Sequence, residues 1–402
     1  MPLRIVQANA VYDPAAKSAH SLLDTYRTLT EWSTAVVGAG AEVVVAQRFH
    51  TAIQVERDGV TYEFTKDSQA PWLSTKAAPA EFVSAIARPT PDVVHVNGLI
   101  FPQLVAAIRK AVGPRTAIVV QHHGGEFPIR GSGLVGLWQR LQWRGGLSAA
   151  DAISFTAREQ AGPWREAEVL GDQRILEIVE SGTTMRQVDR DRARTAIGIK
   201  ATPLILWVGR LTTNKDPLSV LDGLEQALPA LPGAQVVMVF GDDTLIAAVE
   251  ERIRASTFLR DRITLAGRVS RDELPNYYSA ADVFVSGSHA EGSGYALIEA
   301  MSAGVIPVVT DIPSFRAIAG ESGARWPPGD ARAFSTALRD VCARNLAEER
   351  ARVAAQYDRA LRWEAIGRQT VDEYQALVDS KRGLPPSRQA LRRTGKIRLH
   401  EG

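Results

Sequence analysis

Apolar positions along this chain fall into short blocks separated by amphipathic stretches. Leu3 to Ala8, Glu42 to Ala46, Asp92 to Val96, Thr116 to Gln121, Ala152 to Thr156 and Arg174 to Val179 each read as a brief strand. Runs of this kind suit strands covered on both faces. Helical patterns between them, such as Ala19 to Val37, supply crossovers, so the first half reads as a parallel α/β sheet. Thr51 to Thr65 differs: Asp58-Gly59 at its centre marks a β-hairpin. Gly38-Ala-Gly40 follows a helical stretch instead of opening one, so it is a helix stop and not a dinucleotide fingerprint.

The alternation resumes after a polar stretch, Gln187 to Lys200, which reads as a linker. Its Asp189-Arg-Asp191 lies among arginines and not after a strand, so it reads as solvated charge instead of a metal motif. Leu204 to Val208, Ala281 to Ser286 and Val305 to Thr310 are further strand candidates, and Leu361 to Leu377 is helical. The expected divisions are an N-terminal domain over 1–186, a linker over 187–200 and a C-terminal domain over 201–360. A final helix over 361–380 and a basic tail over 381–402 complete the chain.

A length of 402 residues suits two such domains. Hydrophobic content of 45% and charged content of 23% are those of a soluble globular protein. A net charge of +2 gives no general attraction to nucleic acid. The single cysteine, Cys342, forbids an internal disulfide and a thiolate metal cluster, and fits a cytoplasmic setting. No apolar run is long enough to span a bilayer.

Candidate chemistry concentrates in two windows. Glu291-Gly-Ser-Gly-Tyr-Ala-Leu-Ile-Glu299 lies between a strand and a helix of the predicted sheet. Gly292 and Gly294 let backbone approach a ligand closely, and a helix beginning near Gly294 would aim free N–H groups at an anion. From Glu291 to Glu299 the path is about 10 Å, comparable to a diphosphate with a sugar at either end. Ionised carboxylates accept hydrogen bonds, and vicinal hydroxyls donate them in pairs. The second window, Gly209-Arg210-Leu-Thr-Thr-Asn-Lys215-Asp-Pro217, places a guanidinium and an ammonium in a strand-to-helix loop, where they can clamp phosphate oxygens.

Together these windows, with Tyr278-Ser-Ala-Ala-Asp282-Val-Phe-Val and Pro327-Pro-Gly-Asp330, resemble glycosyltransferase family 4. The resemblance implies an α/β GT-B fold of two Rossmann-like parallel-sheet domains facing a central cleft. It implies retaining transfer from a nucleotide-sugar donor to a glycan, lipid-linked or small-molecule acceptor, with no cofactor and no metal. Arg210 and Lys215 would hold the diphosphate, and Glu291 and Glu299 the transferred sugar and the ribose. Gly267, Arg268 and Val269 would lie against the nucleobase, and Gly292, Ser293, Gly294 and Tyr295 would complete the donor site. Arg210, Lys215 and Glu291 are also catalytic candidates. Two family features are missing: a glycine pair soon after the first strand, where Asn9 to Ser18 stands, and a Gly-x-x-Glu, replaced by Ile312-Pro-Ser-Phe-Arg316. A nucleotide-sugar epimerase and a non-catalytic sugar-nucleotide binder are the rival readings.

In the first half, His122-His123-Gly124 follows a strand. His123 best fits the family's His-Gly spacing and is the catalytic candidate there, with His122 as fallback. Leu134, Leu137, Trp138 and Leu141 recur at helical spacing beside Arg140 and Arg144. Burial against the first sheet is the expectation for them, and a membrane-facing helix the alternative. The tail carries Lys381, Arg382, Arg388, Arg392, Arg393, Lys396 and Arg398 against Glu401 alone. It reads as a solvated, disordered segment, with weak peripheral contact to the inner membrane face as the alternative.

Overall fold

The computed structural model describes residues 2–67, 77–124 and 133–384. Contacts divide the chain into two units, residues 1–181 with 363–402, and residues 182–362.

Unit 1 is built on eight strands: β1 (Arg4–Asn9), β2 (Glu42–Phe49), β3 (Ile53–Arg57), β4 (Val60–Lys66), β5 (Val93–Asn97), β6 (Ala117–Gln121), β7 (Ala152–Phe155) and β8 (Arg174–Glu177). Their order is β3-β4-β2-β1-β5-β6-β7-β8. Among the described residues only β3 and β4 pair antiparallel, joined through Asp58 and Gly59, both at positive φ as a tight hairpin requires. The central strands are buried along nearly their whole length, which explains their unbroken apolar character. The expected helix over 19–37 is two, Ala19–Thr25 and Arg27–Gly38. Tyr26 leaves helical geometry between them and its hydroxyl donates to Asp13.

The last helix, Trp363–Lys381, belongs to this unit. Gly367 sits so close to Ala35 that a Cβ there would collide with the Ala35 carbonyl. Tyr374 reaches His95, and the Trp363 indole donates to Glu31 at 3.0 Å.

The helix Gly133–Leu147 corrects an expectation. Its buried positions are Gly136, Gly146 and Leu147. Leu134, Leu137, Trp138 and Leu141, expected in the core, are 84%, 51%, 51% and 58% exposed. The side chain-free face at Gly146 lies flush against Pro102, where a Cβ would not fit, and this docking turns the large apolar residues outward.

Unit 2 carries β9 (Leu204–Gly209), β10 (Gln235–Phe240), β11 (Ile263–Gly267), β12 (Val283–Ser286), β13 (Ile306–Thr310) and β14 (Ala324–Trp326). All pair parallel in the order β11-β10-β9-β12-β13-β14. Counted from β9, this is the doubly wound order 3-2-1-4-5-6, which reverses between β9 and β12. The stretch 187–200, expected as a linker, belongs to this unit and holds the helix Arg190–Ile197. Two of its three arginines are not solvated charge. Arg190 and Arg194, with Arg350, converge on Asp282, whose side chain is only 2% exposed and also accepts the Leu204 N–H.

Of the tail, Lys381 and Arg382 are paired with Asp151 and Asp92. Its remaining basic residues lie outside the described residues.

Candidate functional site

The loops that follow β9 and β12 flank the point where the strand order reverses, the place where such sheets bind ligands. After β9, Arg210 is exposed, and its charge reaches Asp242 beyond β10. Hydrogen bonds from the Thr244 hydroxyl and N–H hold Asp242 below the usual carboxylate range, and Arg210 adds to the effect. A single tight turn, Thr213–Lys215, then leads to Asp216, which caps the helix Pro217–Ala227 by accepting the Ser219 N–H at 3.1 Å. Proline in the first turn loses no hydrogen bond there.

After β12, the chain passes Gly287, where a Cβ would lie 2.8 Å from the Asp216 carbonyl oxygen. The two loops are stitched together by Asn214. Its amide donates to the Ala290 carbonyl at 3.0 Å and accepts the Ala290 N–H at 3.1 Å, while its backbone carbonyl accepts the His289 N–H at 2.8 Å. His289 in turn pairs with Asp216 at 2.9 Å. Within this frame the Lys215 ammonium donates to the Glu291 carboxylate, which also accepts the Ser288 hydroxyl at 2.8 Å. The structure thus brings Lys215 and Glu291 into contact.

Gly292 is buried and Ser293 half-buried, and Gly294 begins the helix Tyr295–Ser302 with φ 62 and ψ 34. That left-handed geometry favours glycine, and a Cβ would also meet Ile318 at 2.6 Å. Among the described residues no side chain caps this helix start, whose Leu297 N–H bonds the Gly294 carbonyl at 3.0 Å, and a helix start of this kind favours an anion. Tyr295 is exposed. Glu299 accepts the Tyr278 hydroxyl at 2.9 Å. Burial pushes the Tyr278 phenol well up, and Glu299 pushes it further, so it stays a donor that fixes the carboxylate. Gly267, at φ 65, ends β11, two strands from β9. The Arg268 guanidinium beside it donates to the Gly241 carbonyl at 2.6 Å, and Val269 is half-buried.

His123 belongs to unit 1. Its Nδ1 faces the Glu180 carboxylate at 2.6 Å and its Nε2 faces the Asn97 side-chain oxygen. Glu180 has a side chain only 1% exposed, and its second oxygen has no hydrogen-bond partner among the described residues. Asn97 is the last residue of β5, and His123 and Glu180 stand just past the ends of β6 and β8. His122 points elsewhere: it is buried against Phe155 and Trp164, and burial, then the charge of His123, push it down to about 4. Sequence reasoning missed Asn214, Ser288, Tyr278, Asn97 and Glu180. Glu180 carried a signal, being an acid set directly after the apolar Ile178-Val179.

Residues 202–344 match the family model described as "Glycosyl transferases group 1". This segment is similar to a group 1 glycosyltransferase domain. It contains Arg210, Lys215, Glu291 and Glu299. The GDP-mannose:cellobiosyl-diphosphopolyprenol alpha-mannosyltransferase of Xanthomonas oryzae is 29% identical over 232 residues, 58% of this chain and 59% of that protein. The match therefore spans little more than half of that relative. The sucrose-phosphate synthase of Thermosynechococcus elongatus superposes over 94% of this chain and 100% of its own, with a TM-score of 0.64 at 20% identity. A glycosyltransferase from Rickettsia africae covers 94% and 99%, with a TM-score of 0.68 at 15% identity. The fold is GT-B.

Proposed function

We propose that this chain is a retaining glycosyltransferase that takes its sugar from a nucleoside-diphosphate sugar and needs no divalent cation. The observation that carries this reading is the meeting of Lys215 with Glu291 at the reversal of the unit 2 sheet, beside an uncapped helix start. The diphosphate takes its charge compensation from Arg210, Lys215 and the N–H groups after Gly294. Glu291 accepts from hydroxyls of the transferred sugar, and Glu299, fixed by Tyr278, from those of the ribose. Gly267, Arg268 and Val269 are assigned to the base, and unit 1 to the acceptor. His123, oriented by Glu180, is assigned to the sugar being transferred.

In the transfer, the acceptor hydroxyl oxygen bonds to the anomeric carbon as the bond from that carbon to the diphosphate breaks. The hydroxyl proton passes to the departing phosphate oxygen on the same face, giving a glycoside and a nucleoside diphosphate. Lys215 and Arg210 act where negative charge grows, which is the largest lever available to a site of this kind. The Xanthomonas relative carries GDP-mannose and a diphosphopolyprenol glycan in its name. These are the first donor and acceptor classes to try.

A thermal-shift screen against nucleotide sugars tests the reading. A ligand at 100 times its Kd should stabilise the protein by about 2.7 kcal/mol. Lys215→Ala should abolish that response, and chelating divalent cations should leave turnover unchanged. No response to any nucleotide sugar, or a full response in Lys215→Ala, sinks the proposal.

A further inference from the structure

The helix Gly133–Leu147 turns most of its large apolar side chains to solvent. Leu134, Val135, Leu137, Trp138 and Leu141 are exposed, while Gly136, Gly146 and Leu147 are buried and Trp143 packs against Trp164. Leu134, Leu137, Trp138 and Leu141 fall at i, i+3, i+4 and i+7, a single stripe, and Val135, 64% exposed, widens it at one end. An isolated exposed leucine needs no explanation, but a continuous stripe over two turns does. The inward glycine contact with Pro102 fixes this orientation, so the stripe cannot roll into the core.

Charge identifies what the stripe meets. The 15 residues of the helix contain no acid, and they contain Arg140 and Arg144. Arg144, which faces the exposed Glu168 at 3.9 Å, keeps its side chain 56% exposed and lies at the C-terminal end. Asp151, four residues beyond the helix, accepts the Lys381 ammonium at 2.6 Å. Lys381, the last residue of the final helix, therefore lies near the end of the helix Gly133–Leu147, and the sequence after it carries Arg388, Arg392, Arg393, Lys396 and Arg398. An apolar stripe with a central tryptophan, flanked by arginines and followed by a basic segment, matches a surface that is apolar at depth and anionic above.

We infer that this helix lies in the interface of an anionic bilayer, with Leu134, Leu137, Trp138 and Leu141 entering the acyl boundary. The C-terminal segment adds attraction from the headgroups. Neither contact suffices for stable attachment alone, and together they supply the two signals that reversible anchoring takes. The inference stands apart from the donor reading, since it uses only unit 1.

Flotation of the full-length protein with phosphatidylcholine vesicles, with and without phosphatidylglycerol, tests it. Wild type should float only with the anionic vesicles. Leu134→Gln/Leu137→Gln/Leu141→Gln should bind at least about tenfold more weakly with an unchanged melting temperature, because glutamine keeps helix propensity and the sites are exposed. A chain ending at Leu384 should bind more weakly but retain its preference for anionic vesicles. Acyl chains labelled with bromine should quench wild-type fluorescence, and Trp138→Leu should remove most of that quenching while still floating. Triple-variant binding equal to wild type, or attachment lost wholly with the tail and untouched by the stripe, overturns the proposal. So does a wild-type dimer that the triple variant splits while neither protein floats.

Discussion

Lys215 and Glu291 come from loops 76 residues apart, yet they compensate each other's charge at the reversal point of the sheet. A diphosphate arriving there competes with Glu291 for the same ammonium. Gly294 sets the other wall. Gly294→Ala is expected to cost about 1–3 kcal/mol, from left-handed backbone strain and from crowding Ile318. Urea unfolding measures the cost, and the thermal response to nucleotide sugars should vanish with it. Buried histidines in unit 1 give a pH dependence. His122 titrates near 4 when folded and near 6.5 when unfolded, so between those values the unfolded chain binds more protons. Its contribution to stability is complete above about pH 6.5 and is lost as pH falls through 4. His95, pushed down to about 3 by burial, then by the charge of His123, acts in the same direction. His122→Phe should remove about 2 kcal/mol of the stability lost between pH 7.5 and pH 5, read from melting temperatures at the two pH values.

Elements differ in how plainly the chain announces them. The central strands are legible because a parallel strand covered on both faces must be apolar throughout. The hairpin is legible because Asp58-Gly59 can both take positive φ. The helix Gly133–Leu147 was legible as a helix but not in its orientation. Periodicity reports a stripe, and only the glycines at 136 and 146 tell which side docks. The charged stretch at 187–200 misled for a related reason, since its partner Asp282 lies some ninety residues on. Of the candidate site, the paired cations and acids were legible from local glycine and charge patterns. Asn214 was not, because its role is a contact with Ala290, 76 residues away. Asp282 also supports a prediction at this scale. Asp282→Asn strips three arginines of their common carboxylate and should destabilise unit 2 by about 3 kcal/mol, seen as an earlier urea midpoint for that unit.

Across the whole molecule, the chain leaves unit 1 at Ser181 and supplies that unit again from Trp363. Gly367→Leu drives a side chain into the Ala35 carbonyl, and overpacking of this kind costs about 1–3 kcal/mol or more. Hydrogen exchange should show protection lost in Arg27–Gly38 and Trp363–Lys381, while the strands from Leu204 to Thr310 keep theirs.

The same return of the chain sets an order of assembly during translation. The segment from Gly182 to Arg362 is complete, with every strand of its sheet, before the ribosome has made Trp363. Unit 1, although begun first, waits for Gly367 and Tyr374 to close over Ala35 and His95. The amino-terminal half of this protein is thus the last to be finished, and a nascent chain stalled short of residue 363 leaves the first-made sheet open along its final helix seat.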